Sequence, residues 1–153
     1  MSIKLKLDGF EELIKEIQKA EGNVEKATEK CMRKSADIMQ ETLISEMAKA
    51  DTSYSVYFDH LIARMPPPEI ENDYGLITAR VGYKKGAYNP DNLSDGYKVV
   101  FINYGTPRRS KHGKIEGKSI KLGFIQRAKR KAKKPIQQQQ EATLKEILKG
   151  LER

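Results

Sequence analysis

The sequence predicts an α+β fold in which a short antiparallel sheet packs against a long helix and a C-terminal helix closes the core. Three observations predict it. Apolar residues alternate with polar ones at Ile3, Leu5 and Leu7, and again at Ile77, Ala79 and Val81, the period of a half-buried strand. Met32, Ala36, Met39, Leu43 and Met47 recur at three- and four-residue steps, the period of a helix with one buried stripe. The stretch from Phe124 to Leu151 reads as helix, with Ile136, Leu144, Ile147, Leu148 and Leu151 on one face of its second part.

In chain order, Ile3 to Leu7 forms an edge strand. Asp8 with Glu11 three residues on is a capping box. It opens a short helix with Phe10, Leu13, Ile14 and Ile17 on one face, stopped at Gly22. Asn23 caps the second, longer helix, which runs to about Lys49. Its methionine stripe fits core packing, the alternative being an adaptable partner surface. Asp51-Thr52-Ser53 ends that helix and starts an irregular link. Pro66-Pro67-Pro68 is a stiff, extended lead-in to a strand, or else an SH3-type ligand. Glu69 to Asp73 and Leu76 to Tyr83, turning at Gly75, read as a hairpin with Ile77, Ala79 and Val81 on one side and Thr78, Arg80 and Gly82 on the other. Lys84 to Gly96 is a turn-rich loop containing Asn89-Pro90 and Asp95-Gly96. Pro135 reads as the first-turn residue of a second helical stretch within the C-terminal segment 124–151.

With 153 residues the chain is read as one domain, 1–153, long enough to bury a core. Charged residues make up 33% and aromatics 7%, with no Trp, so that core is modest. A single Cys31 excludes an intrachain disulfide and a cysteine zinc site, and with His60 and His112 alone no His-rich metal centre is expected. Cys31 is expected to act as a small core hydrophobe. Met1-Ser2-Ile3-Lys4 lacks an apolar leader region and no run approaches a membrane span, which predicts a cytosolic protein with no membrane partner.

The net charge of +8 is unevenly placed. Residues 107–134 hold twelve Lys/Arg and one carboxylate, Glu116, a local +11, while the other 17 basic and 20 acidic residues sum to −3. Such asymmetry points to a polyanion or an acidic protein surface, or else to a solvated loop and helix face. The basic segment follows the stretch on which the chain turns, Val99-Val100-Phe101-Ile102-Asn103-Tyr104-Gly105-Thr106-Pro107. Gly105 stands where a chain leaving a regular element needs a positive φ. Pro107 stops that element from continuing. Segment 107–122 is then a basic, mobile loop between two packed elements. Tyr97 to Tyr104 is ambiguous, its β-branched residues favouring strand and the Gly105 stop favouring a short helix.

An apolar segment closing in aromatic-Gly-Thr, a variable loop, and Phe-Ile/Leu-x-Arg-Ala opening the last helix resembles the tail-component (head–tail joining, tail-completion) family of long-tailed phages and prophages. The residues are Phe101, Tyr104, Gly105 and Thr106, then Phe124, Ile125, Arg127 and Ala128. The order of elements matches over nearly the whole chain, and the resemblance favours helix over 97–104. Family members usually carry Glu in place of Asn103, Pro in place of Gly123, and a Thr-Gly-x-Leu-Arg motif where this chain has Asp51-Thr52-Ser53-Tyr54-Ser55. The resemblance implies a virion structural protein of the neck or tail end, made in the bacterial host cytoplasm. Copies would assemble head-to-tail into a closed ring and meet neck and tail-tube proteins. It implies that Phe101, Tyr104, Gly105 and Phe124 hold the fold. The loop cations Arg108, Arg109, Lys111, Lys114, Lys118 and Lys121 are the candidate partner or DNA contacts.

The competing chemistries are thin. Gly113-Lys114-Ile115-Glu116-Gly117-Lys118-Ser119 is one residue short of a phosphate-binding P-loop, with His112 where the first Gly belongs. Pro90-Asp91 with Glu116-x-Lys118 echoes a metal-dependent nuclease, in which carboxylates hold Mg²⁺ and a Lys supports the attacking water; Glu69, Glu71 and Asp73 on one strand face would add to it. No Ser/His/Asp or Cys/His set is persuasive, and nothing demands an enzyme or a cofactor. The other function class is a nucleic-acid-binding accessory protein. The helix cations Arg127, Lys129, Arg130, Lys131, Lys133 and Lys134 would join the loop cations in non-specific backbone attraction. The near absence of interleaved aromatics argues against single-strand stacking.

Overall fold

The computed structural model describes residues 2–5, 24–49, 55–73, 76–84, 86, 94–105, 107–109, 115–118 and 122–151. In order these form β1 (Ser2–Leu5), α1 (Val24–Ala48), α2 (Ser55–Ala63), β2 (Glu69–Asp73), β3 (Leu76–Gly82), α3 (Asp95–Tyr104), β4 (Pro107–Arg109), β5 (Ile115–Lys118) and α4 (Phe124–Leu151). The fold is α+β, with an antiparallel sheet on a long helix and a C-terminal helix beside it. The expected helix over 8–22, the Asn23 cap, residues 51–53 and the Asn89-Pro90 turn lie outside the described residues.

Among the described residues the strands form two antiparallel sheets, one ordered β1-β3-β2 and the other pairing β4 with β5. β1 is an edge strand, with Ile3 opposite Val81 and Leu5 opposite Ala79. β2 and β3 form the expected hairpin, Glu69 opposite Arg80 and Asp73 opposite Leu76. Its alternation is clean: Ile77, Ala79 and Val81 are buried, while Thr78, Arg80 and Gly82 are half-buried. The proline triplet leads straight into β2, and the Gln40 side-chain amide on α1 holds the Pro66 carbonyl at 3.2 Å.

The methionine stripe of α1 is core. Met32, Ala36, Met39, Leu43 and Met47 are all buried against β3 and α4, joined by Phe58 and Leu61 of α2 and by Val99 of α3. Phe58 meets Phe124 edge to face, centroids 5.4 Å apart and planes at 89°. Such a pair adds about 0.5–1.5 kcal/mol beyond its buried area. The link expected to be irregular after α1 is instead helical over Ser55–Ala63, because Phe58 and Leu61 one turn apart both reach this core. Tyr83 follows β3 and donates its hydroxyl proton to the Leu61 carbonyl.

Three further expectations are corrected. Asp95-Gly96 is the first turn of α3, not a loop turn, and Asp95 there favours the positive end of the helix. Pro135 lies inside one continuous helix rather than opening a second. It is exposed, so water can take up the carbonyl whose partner the ring removes. Segment 107–122 contains a ribbon: Pro107 pairs with Lys118, Arg108 with Gly117 and Arg109 with Ile115, the register shifting between Arg108 and Arg109. A proline at the first residue of a strand leaves the ladder intact.

Candidate functional site

α3 is a helix because burial overrides the strand preference of Val99, Val100 and Ile102. Gly96, Val99 and Asn103 fall at helical spacing and all three are buried. The helix ends at Gly105, with φ 73° and ψ 160°, and the Gly105 amide donates to the Phe101 carbonyl at 2.8 Å. The chain then leaves as β4 and returns to the same place. The Leu122 amide reaches the Ile102 carbonyl at 3.5 Å, and the Gly123 amide reaches the Asn103 carbonyl at 3.0 Å. Both ends of the basic excursion are therefore tied to the last turn of α3.

Asn103 makes this junction. It is 0% exposed, and its side-chain oxygen accepts the Ile125 amide at 2.9 Å, satisfying one of the unpaired donors that open α4. Its amide donates to Gln126 Oε1 at 3.1 Å. Gly123, at φ 63°, turns the chain into the helix. Asparagine thus caps from a distance the helix that Gly123, lacking a side chain, cannot cap itself. Phe124, Ile125 and Ala128 are buried, and Phe101 is half-buried with its ring 6.1 Å from that of Tyr97. Tyr104 departs from the expectation: at 42% exposure its ring does not hold the core. Thr106 lies outside the described residues.

Arg127 has a role the resemblance does not specify. Its Nε donates to Glu46 Oε2 at 3.0 Å and its Nη1 to the Leu122 carbonyl, so one side chain ties α4 to α1 and to the returning chain. Lys131 donates to the other oxygen of Glu46, and Lys49 stands 3.9 Å from it. The Glu46 side chain is only 3% exposed. The Lys131 ammonium, foremost, with Arg127 beside it, holds the Glu46 carboxyl below the usual carboxylate value against the opposing effect of burial. Further along the antiparallel α1–α4 pair, Ser35 Oγ lies 2.9 Å from Gln139 Oε1 and 3.0 Å from the Cys31 carbonyl. Gln139 Nε2 donates to Thr143 Oγ1 at 2.9 Å. This polar seam joins the facing stretches of α1 and α4 beside their apolar contacts. Cys31 is buried beside it, and burial pushes its thiol up, so it stays protonated and unreactive.

The cations of the basic segment are sorted by the fold. Arg108 and Arg109 stand on β4 and Lys118 on β5, while Lys111, Lys114 and Lys121 lie outside the described residues. On α4, Arg127 and Lys131 turn to Glu46, and Lys129, Arg130, Lys133 and Lys134 are exposed. The enzyme alternatives gain no geometry. Ile115–Lys118 is a strand in an antiparallel pair, not a phosphate-wrapping turn into a helix. Asp91 is outside the described residues. Glu71 pairs with Arg80 at 3.0 Å and Glu69 with Lys84 at 2.8 Å, so these carboxylates face cations of their own chain. Among the described residues no group of three His, Cys, Asp or Glu is placed to hold a metal, and no helix is long and apolar enough to cross a membrane. A cleft of about 200 Å³ between the α1 start and the α4 end, lined by Lys30, Lys34, Thr143 and Glu146, is smaller than usual small-molecule sites.

Sequence reasoning missed Glu46 and the capping role of Asn103. Glu46 lies three residues after Leu43, on the flank of the methionine stripe, and a carboxylate there requires a cation from a neighbouring element. That was the available signal. Compared with known proteins, the chain matches no family model, no curated protein and no solved structure.

Proposed function

We propose that this chain is a structural protein of the head–tail neck of a long-tailed phage, completing the tail or joining it to the head as a ring of its own copies. One observation carries this reading. The two halves of the tail-component motif, Phe101 to Gly105 and Phe124 to Ala128, are joined through Asn103, and the segment between them leaves and returns at that junction as a basic ribbon. The departure at Asn103 keeps the needed chemistry, because Asn, like the usual Glu, offers an acceptor oxygen to the helix start. A two-stranded ribbon has little stability by itself in water. Anchored at both ends on a rigid helix pair, it is suited to complete its sheet or its charge against a neighbouring subunit. Arg108, Arg109 and Lys118, which stand on its strands, are the proposed contact residues for a copy of the chain or an adjoining neck or tail-tube protein. The same surface would be displayed by every copy, so a heterologous contact repeated by rotation closes a ring.

The reading frames flanking this gene in its source DNA test the proposal. Neighbours encoding portal, major capsid and tail-tube proteins support it, and mixing those products with this protein should then yield rings. Neighbours encoding regulators or repair proteins would overturn it in favour of a nucleic-acid-binding accessory protein.

A further inference from the structure

We infer that the outward face of the first half of α4 is a separate contact surface that binds the phosphate backbone of duplex DNA without reading its sequence. Of the six cations on this half-helix, the fold uses two internally, Arg127 and Lys131, both on Glu46. Lys129, Arg130, Lys133 and Lys134 are exposed and make no ion pair among the described residues. At about 100° per residue, these four fall within an arc of about 140°, opposite buried Phe124, Ala128 and Ala132. No carboxylate occurs in α4 before Glu141, so nothing on the helix itself offsets them.

The arrangement works against the isolated fold. Lys129 with Lys133, and Arg130 with Lys134, are like charges one turn apart, about 6 Å between Cβ atoms, a spacing that destabilises a helix. A bound polyanion removes that penalty. Duplex phosphate fits better than the other anionic surfaces. The arc carries no aromatic ring for stacking single strands, since Phe124 is buried. It also offers no apolar anchor to a protein partner, whose interfaces are depleted in lysine. Long, flexible stems on one helix face suit a row of phosphates. This surface does not depend on the neck reading, since a neck protein or an accessory protein could equally carry it.

The test is fluorescence anisotropy of the full chain with two 20-base-pair duplexes of unrelated sequence between about 50 and 200 mM salt. The wild type should bind both equally. The variant K129Q/R130Q/K133Q/K134Q should lose about 3–4 from the slope of log K against log salt, taking about 0.9 per phosphate contact. Those four contacts account for roughly 150-fold of the wild-type affinity lost across that range. A control variant, K145Q/K149Q, removes charge from the exposed end of the same helix and should leave the slope within about one of wild type. Circular dichroism establishes that both variants fold, and R130K, which keeps the charge, should keep the slope. An unchanged slope in the quadruple variant overturns the inference, as does equal loss in the control. So does polyglutamate competing as well as duplex, which would assign the face to acidic protein. Ring assembly is read separately, so failure here leaves the neck proposal standing and the converse also holds.

Discussion

Replacing Asn103 should divide its role as a spacer from its role as a cap. In Asn103→Leu the branched shape is kept, with somewhat bulkier methyls, but the Ile125 amide loses its acceptor at 2.9 Å in a place where both residues are almost fully buried. Loss of a helix cap costs about 0.5–2 kcal/mol. Leaving a buried amide unpaired costs about 1–3 kcal/mol, and the two overlap because they describe one bond. Gln126, half-buried, can turn to water and adds little. A net loss of about 2–3 kcal/mol follows, which for a chain of this size lowers Tm by roughly 5–10 °C. Asn103→Asp keeps an acceptor and places negative charge at a helix N-terminus, where it is favoured. The Gln126 amide can turn over to donate to it. That variant should lie within about 1 kcal/mol of wild type. Thermal melts followed by circular dichroism measure both. Asn103→Leu melting at or above the wild-type temperature would refute the view that this side chain joins α3 to α4.

Other positions give independent checks. Gly105 sits at φ 73° and ψ 160°, a region essentially restricted to glycine, so Gly105→Val should cost about 2 kcal/mol or more, and an unchanged urea midpoint would remove the claim. Glu46→Gln should cost about 1–2 kcal/mol at neutral pH, less than a fully buried pair, because Arg127 and Lys131 are 37% and 58% exposed. The folded Glu46 carboxyl titrates below its unfolded value of about 4.3. Its contribution is therefore complete above that value and lost as pH falls through the folded pKa, and urea titrations at successive acid pH values should show a shallower decline in Glu46→Gln. Tyr83→Phe removes the hydroxyl donated to the Leu61 carbonyl and should cost about 1 kcal/mol. Burial, foremost, and Asp95 push the Tyr83 hydroxyl up. That contribution is thus complete below the unfolded value of about 10 and declines as pH rises through the higher folded pKa, a decline absent from Tyr83→Phe by alkaline titration.

Where apolar residues alone set the period, the sequence was legible. The alternation at Ile77, Ala79 and Val81 placed a hairpin and its buried face, and the methionine steps placed α1 and the core side of it. The difficult places are those where a polar residue stands inside. The period of α3 runs through Gly96, Val99 and Asn103, so a reader counting only apolar residues sees β-branched Val99, Val100 and Ile102 and favours strand. Glu46 hides on the stripe of α1 for the same reason, its partners lying far away in sequence on α4. The ribbon of β4 and β5 left no signal, because Pro107-Arg108-Arg109 and Ile115-Glu116-Gly117-Lys118 show no alternation and their pairing is fixed by where the chain leaves and rejoins α3. Arg127 was visible as part of a motif, but its task was not, since an arginine in a first turn is unfavourable until a buried carboxylate is found beside it.

Immunogold electron microscopy of phage particles released from the source strain, using antibody against this chain, tests the neck proposal most directly. A neck protein should remain with the particles through purification and be labelled at the single junction of head and tail. Purified, infectious particles that lack the chain altogether would contradict the proposal.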